Sequence, residues 1–272
     1  MLSHLEDIPA NPFAKSNLIT APITFAPNGA VRPALFRKIF ELSRKVQKAR
    51  LYITAQGVYE AHINGHRVSD HILAPGWTSY KHHLNYQTFD VTSLMQSKEQ
   101  VLAVEVGEGW FCTRLGFNGG KRCHYGDRLA LLAQLEVIFE DGEILIINSD
   151  DSWKTSVGPI ISSEIYDGEV YDAFLMAKGW NKSSFDDSGW MGVEQLDFPT
   201  AKLVAPKGPP VRKIETLKAK RVLKSPKGKT IVDFGQNIVG WVHVRVSGSK
   251  GDKIVLTHTE GTQVHLRVYN PQ

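Results

Sequence analysis

Short runs that alternate apolar and polar residues, separated by turn residues, recur along almost the whole chain and limit it to a β-rich fold. In LALLAQLEVIFE, alternate positions place five apolar residues on one face of an extended strand: Leu131, Ala133, Leu135, Val137 and Phe139. Helical periodicity is scarce, and the crossover helices that a parallel sheet needs are missing. The sequence therefore predicts an all-β fold, a β-sandwich of jelly-roll type.

Two dipeptides mark hairpin turns within this pattern. Asn64-Gly65 lies between extended runs, and Asp141-Gly142 lies between LALLAQLEVIFE and EILIIN. Both dipeptides tolerate the positive φ angles of a tight two-residue turn. We expect a β-hairpin at each position.

The segment LVAPKGPPVRK, residues 203 to 213, is rich in proline and glycine and indicates a linker. Strand-like pieces follow it, namely KTIVDFG, GWVHVRVSG and DKIVLTHTEG. About 65 residues are few for an independent sandwich. We therefore predict an N-terminal extension over 1–34, a carbohydrate-binding-module-like β-sandwich over 35–205 and a partial second β-sandwich domain over 206–272.

Charge and hydropathy exclude several classes of protein. The 32 Lys and Arg residues against 28 Asp and Glu residues give a net charge of only +4, which does not favour nucleic-acid binding. The densest basic patch is expected to be a solvated face: Arg37, Lys38, Arg44, Lys45, Lys48 and Arg50. No signal peptide and no long apolar run are visible, so the expectation is a cytoplasmic protein with no membrane partner and with Cys112 and Cys123 reduced.

Glycines, basic residues and both cysteines concentrate in VGEGWFCTRLGFNGGKRCHYGDR, residues 106 to 128. The stretch lacks the third glycine and following helix of a dinucleotide site and the Gly-Lys-Ser/Thr of a P-loop. Cys112, Cys123 and His124 are the softest metal-ligand candidates in it, but they lack the paired short spacings of structural zinc. Nucleotide and zinc sites are therefore disfavoured, and the identity of any metal is left unknown.

Acidic residues offer a second interpretation, glycan cleavage by an acidic site in this chain. Glycoside hydrolysis needs two carboxylates held at a set distance. The candidates are Asp167, Glu169 and Asp172 in IYDGEVYDA, together with Glu108. Such pairs are common in any β-protein, and so this hydrolase is kept as the alternative.

Sugar recognition needs aromatic faces for the apolar side of a pyranose and polar side chains for its hydroxyl groups. Two loop-rich stretches supply both kinds of residue. The predicted ligand-binding residues are Trp77, Tyr80, Trp110, Arg114, Asn118, Arg122, Tyr125, Asp127 and Arg128. Core packing of Trp77 and Trp110 is the competing interpretation, because large aromatic side chains are usually mostly buried.

Longer stretches carry a family resemblance: GVYEAHINGHRVSDHILAPGWTSYKHHLNYQTFDVTSLM, VGEGWFCTRLGFNGGKRCHYGDRLALLAQLEV, DDSW and YDGEVYDA. They resemble the N-terminal β-sandwich of the bacterial-type α-L-rhamnosidases, which also occur in fungi. IVDFGQNIVGWVHVRVSGSKGDKIVLTHTEG is similar to the start of the β-domain that follows it in those enzymes.

The resemblance implies a function for this module. Members of the family release terminal L-rhamnose with inversion, using acidic residues of an (α/α)₆ barrel downstream of the β-domains, and nothing in this chain resembles that barrel. The N-terminal sandwich of some members is a calcium-dependent rhamnose-binding module, which makes calcium the candidate cofactor. The implied partners are an L-rhamnose-containing glycan or glycoside and a catalytic rhamnosidase domain. Thr78-Ser79-Tyr80, however, lacks an Asp-Asn pair to supply calcium ligands.

We therefore expect a non-catalytic carbohydrate-binding β-sandwich module from a truncated or separately encoded α-L-rhamnosidase. The resemblance places the sugar at the loops around Trp77 to His83 and Asn118 to Arg128.

Overall fold

The computed structural model describes residues 12–22, 25–26, 28–116, 119–198 and 201–258, and the backbone of residues 266–269. The chain divides into two compact units, Met1–Arg212 and Lys213–Gln272. The domain limits proposed from the sequence, after residues 34 and 205, stay predictions.

Nearly all of the regular secondary structure in the described part of the first unit is strand. In chain order these are β1 (Leu18–Thr20), β2 (Ala34–Glu41), β3 (Val46–Gln56), β4 (Val58–Ile63), β5 (His66–Arg67), β6 (His83–Asn85), β7 (Gln87–Asp90), β8 (Glu99–Gly107), β9 (Arg114–Leu115), β10 (Lys121–Arg122), β11 (Ala130–Phe139), β12 (Ile144–Asn148), β13 (Lys154–Val157), β14 (Ile160–Glu164), β15 (Gly168–Tyr171), β16 (Met191–Gly192), β17 (Glu194–Leu196) and β18 (Lys202–Val204). Short 3₁₀ turns lie at Thr92–Leu94 and Ala173–Leu175.

Two antiparallel sheets form the sandwich. One has the strand order β17-β1-β11-β3-β7, with β12 also paired to β11, and the other has the order β16-β13-β2-β8-β4-β5. Smaller pairs, β9 with β10, β14 with β15 and the parallel pair β6 with β18, lie outside these sheets. The prediction of an all-β sandwich is confirmed.

The core lies between the two sheets. Phe36 and Val104 from one sheet, and Leu51 and Leu135 from the other, are fully buried in one apolar cluster. Burying such a side chain stabilises the fold by about 1.5–3 kcal/mol. The predicted inward face of β11 is confirmed, because all of its members belong to this cluster: Leu131, Ala133, Leu135, Val137 and Phe139.

Both predicted hairpins are confirmed. Asn64 and Gly65 have φ angles of 50° and 84° and join β4 to β5. Gly142 has a φ angle of 86° and lies in the turn between β11 and β12, which pair from Gln134↔Asn148 to Ile138↔Ile144. Positive φ at these positions explains why the sequence uses asparagine and glycine there.

One basic residue of the predicted solvated face is instead buried. Arg37 is 1% exposed, and its guanidinium donates hydrogen bonds to Asp187 at 2.5 Å and to the carbonyl groups of Phe185 and Lys182 at 3.1 and 3.0 Å. Its guanidinium carbon also lies 5.4 Å from the ring centre of Phe185. The loop that carries these partners covers Arg37, so the prediction was wrong for this residue, whereas Arg44, Lys45 and Lys48 are exposed as expected.

The second unit contains β19 (Arg221–Lys224), β20 (Thr230–Asp233), β21 (Lys253–Leu256) and β22 (Leu266–Tyr269) in one sheet of order β19-β20-β22-β21. The runs KTIVDFG and DKIVLTHTEG therefore contain strands, as predicted. GWVHVRVSG, residues 240–248, forms none, and that prediction was wrong. A strand needs a paired neighbour, and within the described residues this segment has no ladder partner.

Candidate functional site

Two tryptophans from different loops form an offset parallel stack in the first unit. The ring centres of Trp77 and Trp110 are 5.8 Å apart, and their planes differ by 5°. Trp77 is 54% exposed, whereas Trp110 is half-buried and packs against the core cluster. One face of Trp77 therefore rests on Trp110, and the rest of its indole is available to a ligand.

Tyr80 supports the loop that carries Trp77. It is 6% exposed, and its hydroxyl group donates a hydrogen bond to the Gly76 carbonyl at 3.1 Å. The rings of Phe111 and Tyr125 meet it edge-on, with centres 5.2 and 4.9 Å away. Burial raises the pKa of the Tyr80 phenol, so the group stays a neutral donor. Tyr125 is half-buried, and its ring meets that of His124 edge-on, with centres 4.8 Å apart.

Two arginines point from the small β9–β10 hairpin toward carboxylates. Arg114 and Arg122 are direct cross-strand partners, which places their side chains on one face. Arg114 forms a two-pronged ion pair with Asp167, with distances of 2.6 and 3.2 Å. Arg122 donates to Glu164 at 2.6 Å and lies 3.6 Å from a Glu108 oxygen. The hairpin is thus fastened to the end of β8 and to the β14–β15 turn.

The Glu108 carboxyl group is fully buried in this network. Its Oε1 accepts a hydrogen bond from the Val31 backbone N–H at 2.6 Å. Among the described residues, four buried side-chain atoms here lack a hydrogen-bond partner: Glu108 Oε2, Glu164 Oε2, Arg122 Nη1 and Thr113 Oγ1. Burial raises the pKa of Glu108 to about 7, against the opposing effect of the Val31 bond.

This raised pKa predicts a stability that depends on pH. In the unfolded chain Glu108 ionises near its ordinary pKa of 4.5, but in the folded chain it holds its proton up to about 7. Its stabilising contribution is therefore present below pH 4.5 and is lost as the pH rises through 7. Between these two pH values, ionisation of Glu108 should lower the free energy of unfolding of the wild type by up to about 3 kcal/mol. Glu108→Gln cannot ionise and should not show this loss.

Urea unfolding at pH 5 and pH 8 measures this change. Glu41→Gln, at a side chain that is 66% exposed, controls for the loss of one carboxylate. An equal pH dependence in the wild type and Glu108→Gln would contradict the assignment.

The remaining predicted ligand-binding residues lie in different surroundings. Asp127 is exposed, and Arg128 pairs with Glu194 on β17. Asn118 lies outside the described residues. The structure thus brings Trp77 together with Trp110, and Arg114 together with Arg122, while Arg128 points to a separate carboxylate.

The candidate catalytic acids are mostly engaged within the chain. A hydrogen bond from Arg114 lowers the pKa of Asp167. The Asp172 side chain accepts a hydrogen bond from the Phe174 N–H at 3.0 Å and begins the 3₁₀ turn Ala173–Leu175. Glu169 is exposed on β15. Glu108, Asp167 and Asp172 therefore each have a structural partner.

Both cysteines are free thiols. Cys112 is buried, and the Cys123 sulfur lies 3.4 Å from the Cys112 carbonyl oxygen. Within the part of the chain that the structure describes, no group of three or more His, Cys, Asp or Glu side chains is placed to hold a metal ion.

Calcium does not fit the described loop residues. It takes about six to eight oxygen ligands. The Thr78 hydroxyl group instead donates to the His83 carbonyl at 2.8 Å, and the carboxylates of Glu164 and Asp167 are held by arginines. These oxygens do not form a cation site.

The sequence did not reveal Glu164 and Asp187, the carboxylates that pair with Arg122 and Arg37. Glu164 lies 42 residues from Arg122, and Asp187 lies 150 residues from Arg37. Neither has a local motif. For Glu164, the position next to the predicted acidic stretch IYDGEVYDA was the available signal.

None of the helices in the described ranges has the length and apolar character needed to cross a membrane.

Two known protein-family models match this chain. The α-L-rhamnosidase N-terminal domain family matches residues 44–215, and the bacterial α-L-rhamnosidase concanavalin-like domain family matches residues 223–272.

Relatives of known name agree with these matches. An α-L-rhamnosidase of Streptomyces avermitilis is 44% identical over 218 residues, covering 80% of this chain and 21% of its own length. An α-L-rhamnosidase of Formosa agariphila is 41% identical over 237 residues, and the match covers 84% of this chain and 25% of that protein. The chain thus spans between a fifth and a quarter of the length of these relatives.

Solved structures show the same likeness. The crystal structure of native α-L-rhamnosidase from Aspergillus terreus superposes with a TM-score of 0.88 at 47% identity, covering 93% of this chain and 30% of that one. The crystal structure of the Streptomyces avermitilis α-L-rhamnosidase complexed with L-rhamnose gives a TM-score of 0.81 at 40% identity. The match covers 88% of this chain and 23% of that one.

Proposed function

Because this chain belongs to the α-L-rhamnosidase N-terminal domain family, we propose that it is a non-catalytic module that binds L-rhamnose or a rhamnoside through Trp77. The observation that carries the proposal is the stack of Trp77 on Trp110, which leaves Trp77 54% exposed. A buried core tryptophan would not have this exposure.

The chemistry of the loops suits a sugar. A flat indole packs against the C–H face of a pyranose, and the stack on Trp110 holds that indole in one orientation before the ligand arrives. Polar side chains at the β9–β10 hairpin remain partly open to solvent: the Arg114 and Arg122 side chains are 22% and 25% exposed. Fixed by their carboxylate partners, they are suited to donate to sugar hydroxyl groups.

Relatives supply the sugar class. The Streptomyces avermitilis enzyme was crystallised with L-rhamnose, and this chain covers 23% of it. We infer that the module serves a longer rhamnosidase, with rhamnose-containing glycosides as its ligands and a catalytic domain as its partner. Hydrolysis by acids of this chain is less favoured, because Glu108 is fully buried and Asp167 is paired with Arg114.

Calorimetric titration of the purified chain with L-rhamnose tests this proposal. We expect a dissociation constant of about 1 mM, because a monosaccharide has few atoms to bury. D-Rhamnose, the mirror image, is the control ligand and should give little heat. A calcium chelator should leave the titration unchanged, since the described oxygens form no calcium site. Absence of heat at millimolar L-rhamnose would remove the proposal.

A further inference from the structure

Three successive backbone carbonyl groups lead into Trp77, and each accepts a hydrogen bond from a residue outside the segment 74–76. For residues 74, 75 and 76 the donors are, in that order, the Tyr59 backbone N–H at 2.8 Å, the Gln87 side-chain amide at 3.2 Å and the Tyr80 hydroxyl group at 3.1 Å. All three donor residues are only 6% or 7% exposed. The backbone that carries Trp77 is therefore held from the interior of the unit.

The Gln87 amide connects this segment to both sheets. Gln87 lies on β7 of one sheet, and Tyr59 lies on β4 of the other. The Tyr59 hydroxyl group donates a hydrogen bond to Gln87 Oε1 at 2.8 Å. Because the Pro75 carbonyl can only accept, Gln87 must turn its Nε2 toward Pro75 and its Oε1 toward Tyr59. Each of these buried groups has a partner, and a buried polar network of this kind makes the local structure rigid.

Tyr80 ties the segment that carries Trp77 to the stretch that carries Trp110. Its ring centre lies 5.2 Å from that of Phe111, the residue next to Trp110. Phe111 in turn packs directly against Gly126, where an added Cβ would lie 2.6 Å from the Phe111 ring. The two stacked tryptophans are thus connected through Tyr80 as well as through their own contact.

We propose that Tyr80 and Gln87 are positioning residues, which hold the Trp77 indole parallel to Trp110 in the orientation that receives the sugar and do not touch the sugar themselves. Both side chains are buried, whereas the Trp77 indole is 54% exposed. A surface that is ordered before the ligand arrives loses less conformational entropy on binding and therefore binds more tightly. This inference rests on the proposed binding of rhamnose through Trp77.

Tyr80→Phe tests the role of the hydroxyl group, because it keeps the ring and removes the bond to Gly76. We expect the dissociation constant for L-rhamnose to rise about three- to tenfold, which corresponds to one hydrogen bond. Tyr52→Phe is the matched control: it also removes a buried hydroxyl group, bonded to Arg50 at 2.9 Å, but in a different apolar cluster. The control should leave the affinity unchanged. An equal rise for both variants would reflect a general loss of stability and overturn the proposal.

Fluorine NMR of protein labelled with fluorotryptophan follows the indole without any sugar. The chain has six tryptophans, and the line that Trp77→Phe removes belongs to Trp77. In Tyr80→Phe this line should shift or broaden, because the indole is no longer held in one orientation. The line of Trp241, in the second unit, is the internal control and should stay unchanged. A Trp77 line identical in the wild type and Tyr80→Phe would overturn the proposal.

Tyr59→Phe gives a second variant, which keeps the packed ring and removes the hydroxyl group that orients the Gln87 amide. It should change the Trp77 line and weaken L-rhamnose binding in the same direction as Tyr80→Phe, and it decides the question if Tyr80→Phe does not fold. An unchanged Trp77 line in Tyr59→Phe would remove Gln87 from the positioning set. A wild type that binds no L-rhamnose would instead end the proposed function, while the fluorine spectra would still show whether these residues hold the indole.

Discussion

Asp187→Ala should lower the free energy of unfolding of the first unit by about 3–5 kcal/mol, because it leaves a buried guanidinium without its counter-charge. The Arg37 side chain is 0% exposed and lies 2.5 Å from the Asp187 carboxylate. Lys154 also contacts that carboxylate, at 2.7 Å. Burial lowers the pKa of Arg37 while Asp187 opposes the shift, which shows how strongly this guanidinium depends on its partner.

Urea unfolding followed by tryptophan fluorescence measures the loss, since Trp190 lies beside Arg37. Asp151→Ala, at an exposed carboxylate in the turn before β13, is the matched control and should cost less than about 0.5 kcal/mol. Arg37→Leu combined with Asp187→Asn should be less damaging than the sum of the two single changes, because neither charge is then buried alone. A loss for Asp187→Ala no larger than that of Asp151→Ala would contradict the structural role of this pair.

Local patterns allowed the sandwich to be predicted. The β4–β5 and β11–β12 hairpins depend on residues next to one another in sequence, and the inward face of β11 depends on strict alternation. Both are properties of a few consecutive residues. These turns and strand faces can therefore be predicted without knowing how the rest of the chain folds.

Long-range partners could not be predicted in the same way. Arg37 lies in a basic run that reads as a solvated face, and only the loop that contains Lys182 and Asp187 explains its burial. GWVHVRVSG has the alternation of a strand but no strand beside it among the described residues. In both cases the sequence pattern is local, whereas burial or strand formation depends on whether another segment packs or pairs with it.

The candidate site shows the same division. Aromatic residues in two loops suggested a sugar surface, but only the structure stacks Trp77 on Trp110 and buries Tyr80. The carboxylates that accept hydrogen bonds from Arg114 and Arg122, Asp167 and Glu164, lie more than 40 residues away in sequence. The residue types therefore suggested sugar binding, but only the tertiary contacts show which of these side chains are exposed to a ligand.

Trp77→Ala should weaken L-rhamnose binding at least about tenfold while leaving the unfolding free energy within about 1 kcal/mol. The indole is 54% exposed, so its removal opens no cavity in the core, but it takes away the flat surface for the sugar. Trp241→Ala, at a 61% exposed tryptophan of the second unit, is the matched control and should leave rhamnose affinity unchanged.

Calorimetry and urea unfolding on the same three proteins separate the two roles of this residue. Loss of binding with retained stability identifies Trp77 as the sugar platform. Loss of about 3 kcal/mol of stability would instead identify a core tryptophan, because that is the cost of truncating a buried aromatic side chain. Binding that survives Trp77→Ala would place the sugar elsewhere in the module. Trp110 is half-buried and packs against the core, so its truncation is expected to lower stability whether or not it contacts the sugar. Substitution of Trp77 is therefore the test that distinguishes sugar binding from core packing.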